Sequence, residues 1–149
     1  MVEDIINPDK REVESREQKK SETRSRDEMF ADWVDLKCDM LDVVLASMGK
    51  ASKAHDLDSM EVQYGLLEDY VKKALKEIDG YNNISYELNN SKERLREALN
   101  YLQSAASSGK LGCNINYSVS LKESDIYFAH ANKCFGEFRR IYNDYWLNK

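Results

Sequence analysis

Proline occurs once in the 149 residues and glycine six times. β-rich domains spend both residues on their turns, so this scarcity argues against a β-rich protein and is what a few long helices with few connections would leave. The three cysteines, Cys38, Cys113 and Cys134, are odd in number and widely spaced. They fit neither a disulfide framework nor a CxxC metal site, and a reducing compartment is expected. No apolar run approaches the roughly 18 residues that a membrane span needs, and Met1–Ile6 carries early acidic residues in place of the basic flank of a secretory signal. The expectation is a cytoplasmic or otherwise intracellular protein without a membrane partner.

Histidine is almost missing too. His55 and His130 stand alone, with no Glu-x-x-His pair of the kind that builds a dinuclear centre inside a helical bundle and no zinc-ligand spacing. Glycine spacing matches neither a phosphate-binding loop nor a dinucleotide turn. Cys134 and His130 are one turn apart, but their apolar neighbours Ala131, Phe135 and Phe138 predict a buried, unreactive thiol. Cys113 is expected to be the more exposed one. The sequence therefore predicts no cofactor, no metal and no catalytic set.

What is abundant is charge and helical periodicity. One third of the residues are charged, and the net charge of −5 opposes general affinity for nucleic acid or acidic lipid. Residues 1–28 form a distinct arm. After Asn7-Pro8-Asp9, which suits a helix start, Asp9 to Glu28 contains seven basic and seven acidic residues and the single hydrophobe Val13, predicting an arm that is helical or disordered and outside the core. The apolar Val2, Ile5 and Ile6 read as a frayed terminus or as a tethered docking peptide.

Residues 29–149 read as the bundle domain. A first core helix from Met29 to about Gly49 carries a broad apolar surface. On its opposite side Glu28, Asp32, Asp35, Asp39 and Asp42 fall within an arc of about 80°. That acidic stripe is either a solvent face or a strip for a basic partner. After a polar link near Ser52–Asp58, Met60, Tyr64, Leu67, Val71, Ala74 and Ile78 mark a second helix closed by Asp79-Gly80. Ile84, Leu88, Ser91, Leu95, Ala98, Leu102 and Ala105 mark a third, which the glycines are expected to stop near Ser107–Gly109. A polar loop follows to Ser118, with Asn114–Tyr117 in a short extended segment. Ser120 and Glu123 form a capping box that starts the last helix at about Leu121. There Leu121, Ser124, Phe128, Ala131, Phe135, Phe138, Tyr142 and Tyr145 form an aromatic stripe.

Spacings near 3.5 in three successive segments predict an all-α, up-down four-helix bundle with coiled-coil-like packing. The functional expectation is a noncatalytic interaction or assembly module that self-associates or docks on a larger complex, so a protein partner or a second copy is expected. Tyr142, Tyr145 and Trp146, near the end of the last helix, are the first candidate contact residues. The acidic Asp32, Asp35, Asp39 and Asp42 are the second. An accessory nucleic-acid-binding role is the alternative, through Lys92, Arg94 and Arg96 on the third helix and Lys133, Arg139 and Arg140 on the fourth, where arginine beside aromatic rings suits phosphates and stacked bases.

Overall fold

A computed structural model describes residues 8–115 and 118–148, with side chains from residue 25 onward. Four helices, and no strand among the described residues, follow in order: α1 (Pro8–Lys53), α2 (Leu57–Ile78), α3 (Tyr86–Ile115) and α4 (Ser118–Leu147). The proposed roles of Asn7 and of Val2, Ile5 and Ile6, and the extended reading at Asn116-Tyr117, lie outside the described residues.

Cross-links between the helices fix their directions. Trp33 Nε1 donates to Glu77 and Tyr70 Oη to the carbonyl of Lys37, so α1 and α2 run antiparallel. Glu68 meets Ser107 while Asp79 meets Arg96, which makes α2 and α3 antiparallel. Ser124 reaches Ala105, His130 stacks on Tyr101 and Cys134 lies near Glu97, so α4 returns along α3. Asp27 with Tyr145 closes the square between α1 and α4. The result is an up-down-up-down four-helix bundle. α3 and α4 pack most closely, while the α1–α4 seam is more open and joined mainly through side chains.

The six positions of α2 read from its periodicity, from Met60 to Ile78, are all buried. Phe30, Trp33, Val34, Leu41 and Met48 enter the core from α1, and Ala131, Phe135 and Phe138 from α4. α1 passes Gly49 and ends at Lys53. Its last turn closes with paired hydrogen bonds from His55 N to Ser52 O at 3.1 Å and Asp56 N to Ala51 O at 3.2 Å, with His55 in the left-handed region at φ 53°. Six-to-one and five-to-two bonds of this kind satisfy terminal carbonyls in one step. Asp56 then caps α2 by accepting from Ser59 N at 3.1 Å, so the link shrinks to residues 54–56.

The expected polar loop at 107–118 is corrected: α3 continues unbroken to Ile115. Gly109 and Gly112 are buried in that helix. A Cβ on Gly109 would fall 2.4 Å from the Tyr64 ring, and one on Gly112 would fall 2.7 Å from Leu121 Cγ. These glycines serve close approach of α2 and α4 to α3, and packing offsets their low helix propensity of about 1 kcal/mol each. Cys113 is accordingly buried, against expectation. The capping box is corrected as well, since α4 already begins at Ser118 and Ser120 is a buried residue of its first turn.

The arm is the first part of α1. Residues 8–26 run past the level at which α4 ends, an extension of about 28 Å at the helical rise. Asp27, on the arm side of the boundary drawn at residue 28, is 1% exposed and belongs to the bundle.

Candidate functional site

The two sets of candidate partner residues, from opposite ends of the sequence, meet in the open α1–α4 seam. Glu28, Asp32 and Asp35 on α1 and Tyr142, Asn143 and Trp146 on α4 line one shallow groove of about 380 Å³, floored by Ala31. Antiparallel packing produces this meeting, because it sets the start of the α1 core segment beside the end of α4. Ala31 matters by being small, which leaves the groove open between longer neighbours.

Tyr142 and Trp146 are half-buried, with ring centroids 6.2 Å apart in an edge arrangement, and Phe138 backs Tyr142 at 5.2 Å. Burial pushes the Tyr142 phenol up to about 12, and the negative charges of Asp35 and Asp32 add to that rise. The groove is therefore electronegative as well as aromatic. Trp146 Nε1 is buried beside Tyr142, and the interaction of the indole with the phenol opposes part of that rise. Asp39 and Asp42 are exposed farther along α1, on the same side but beyond the groove.

Tyr145 does something else. It is buried, and its hydroxyl donates to the carboxylate of Asp27 and lies 3.1 Å from Ser85 Oγ. Asp27 also accepts from Ser85 N at 2.8 Å and Ser85 Oγ at 2.5 Å. Ser85 O in turn receives Asn89 N, so Ser85 caps α3 and the Asp27 carboxylate sits at the positive end of that helix. This is a tie joining α1, α3 and α4 at one end of the bundle. Periodicity carries no sign of it, because its residues are linked only by the fold.

The basic residues of the nucleic-acid alternative are scattered. Lys92 is buried, and its ammonium donates to the Tyr81 carbonyl at 2.8 Å; burial lowers its affinity for the proton. Arg94 pairs with Glu97 at 3.2 Å and lies 3.6 Å from Glu137, while Arg96 is held by Asp79 and lies 3.5 Å from Glu93. On α4, Lys133 is exposed and Arg139 lies over the Phe135 ring at 5.9 Å. Arg140 lines a separate pocket of about 310 Å³ with Glu87 and Asp144. Acidic side chains thus pair with Arg94 and Arg96 and stand beside Arg140, and Lys92 is drawn into the interior, so the six do not form one exposed cationic set.

The thiols sit where reactivity is suppressed. Burial pushes Cys38 up to about 11, with Asp42 adding to it, and burial also raises Cys113 and Cys134. Thiolate, the reactive form, is scarce at neutral pH under such shifts. Across the described residues no helix is long and apolar enough to cross a membrane.

Comparisons of this chain with protein-family models, with curated proteins and with solved structures give no match. The functional reading rests on the geometry alone.

Proposed function

We propose that this protein is a noncatalytic helical interaction module, which docks on a larger assembly through the groove between α1 and α4. The observation that carries the reading is the convergence of Glu28, Asp32 and Asp35 with Tyr142 and Trp146 in one accessible groove. Such a site offers what a basic protein segment uses: carboxylates for charge pairing and ring faces for the stem and head of Lys or Arg. Aromatic residues in a partly desolvated pocket are also where binding energy concentrates in protein interfaces. The charged first part of α1 extends past the bundle end next to this groove, in a position to lengthen the contact.

The test is affinity capture from cells that express the protein, run in parallel with wild type and with a variant carrying Asp32→Lys, Asp35→Lys and Trp146→Ala. All three side chains line the groove, and Trp146 also packs against the edge of the core beside Tyr145. Matched circular dichroism melts establish that both baits are folded. A protein recovered by wild type and lost from the variant supports the reading. Equal recovery by both baits, or nuclease-sensitive recovery of nucleic acid through Lys133, Arg139 and Arg140, contradicts it.

A further inference from the structure

α1 turns three kinds of surface outward from one cylinder. Its core face carries Phe30, Val34, Leu41 and Met48. Beside the acidic arc lies a row of apolar residues that the described chain leaves about half exposed or more: Met29 is 60% exposed, Leu36 58%, Met40 47% and Val43 66%. At 3.6 residues per turn these four fall within about 60° of one another, and from Met29 to Val43 the row runs about 21 Å along the helix. The spacing of seven between Met29, Leu36 and Val43 is that of a coiled-coil seam. Asp32 and Asp39 are exposed along one edge of the row.

We infer that this row is a seat for one amphipathic α-helix of a partner protein, about 15 residues long, whose apolar stripe is bordered by Lys or Arg. This rests on the interaction-module reading above and names the form of its partner. Length and period select a helix, because a seven-residue seam over four turns matches a second helix lying alongside and does not match an extended strand. Charge selects its composition, since the edge of the row is acidic at Asp32 and Asp39 and the groove adjoining it is acidic at Glu28 and Asp35. The same charges disfavour a second copy of this chain as the occupant: two such rows laid together bring their aspartates into proximity in a molecule whose net charge is already −5. Two methionines in the row add adaptable side chains, which accommodate varied apolar partners.

The probe is a synthetic 15-residue helical peptide with leucines at seam positions and lysines elsewhere, titrated into the full-length protein with fluorescence anisotropy as readout. A counterpart with glutamates in place of the lysines is the charge control. Wild type is expected to bind the Leu/Lys peptide, and the Leu/Glu peptide at least about tenfold more weakly. Leu36→Glu with Met40→Glu, at exposed positions where the fold does not depend on them, is expected to lower affinity by at least about tenfold. Asp32→Asn with Asp39→Asn is expected to weaken binding less and to flatten its salt dependence.

Absence of binding overturns the inference, as does equal binding of the Leu/Lys peptide by wild type and the Leu36→Glu, Met40→Glu protein. So does loss of binding in Trp146→Ala alone, which would move the helix into the groove. Capture of a partner that depends on the groove, together with failure of the peptide, sinks the helix seat and leaves the interaction-module reading standing.

Discussion

Asp27 and Gly109 show at the level of single residues how the bundle is held. The Asp27 carboxylate collects donors from Ser85 and Tyr145 while itself 1% exposed. Asp27→Ala removes the acceptor shared by the Ser85 N–H, the Ser85 hydroxyl and the Tyr145 phenol, and each donor left unsatisfied costs about 1 to 3 kcal/mol. A loss near 3 kcal/mol is expected in urea denaturation, against a smaller loss of about 1 to 2 kcal/mol for Tyr145→Phe, which removes one donor and leaves the others in place. Gly109 supplies the opposite kind of constraint, because any side chain there strikes the Tyr64 ring. Gly109→Ala is expected to destabilise by about 1 to 3 kcal/mol through overpacking. Gly136→Ala is the matched control: a Cβ there meets nothing within 4 Å, so the better helix former is expected to stabilise by about 0.5 to 1 kcal/mol. A measured gain in both variants would contradict the tight α2–α3 approach.

At the scale of the helices, legibility in the sequence depended on whether one element's own period carried the information. α2 was readable in full, since Met60, Tyr64, Leu67, Val71, Ala74 and Ile78 repeat in steps of four and three and all six are buried. The end of α3 was not. Gly109 and Gly112 read locally as breakers, and only the Tyr64 ring and Leu121, supplied by other helices, explain why a helix keeps them. Likewise Ser120 and Glu123 have the spacing of a capping box, yet Ser120 is buried within the first turn of α4. The groove was half legible: periodicity placed Asp32 and Asp35 on one face and Tyr142 and Trp146 near a helix end, whereas their meeting required the antiparallel closure of α1 on α4. Tyr145 was drawn inward for the same reason, by an Asp27 that nothing nearby in sequence announces.

The α1–α2 seam adds a pH dependence. Glu77 is ion-paired with Lys37 at 2.7 Å and accepts from Trp33 Nε1 at 3.2 Å, and the Lys37 ammonium, ahead of the Trp33 indole, holds its carboxyl below the ordinary value of 4.5. A carboxyl depressed in the folded state contributes its full stability above the unfolded value and loses it as pH falls through the folded one. Thermal midpoints are therefore expected to drop as pH falls below 4.5. Glu77→Gln is expected to lower the midpoint at pH 7 and to flatten that acid limb. An unchanged limb in the variant would remove Glu77 from the account.

For the molecule as a whole, the central claim is that α1 builds the bundle with one face and leaves the other open for a partner of a different kind. The exposed Met29, Leu36, Met40 and Val43 would otherwise be the natural core of a dimer. Their acidic border and the net charge of −5 instead set a repulsion that two copies would share. Light scattering coupled to size-exclusion chromatography of the full chain at tens of micromolar measures this directly. The account predicts a single species at the monomer mass of 17.3 kDa, unchanged by Leu36→Glu. A stable dimer that Leu36→Glu converts to monomer would contradict it, because the row would then be occupied by a second copy of the chain itself.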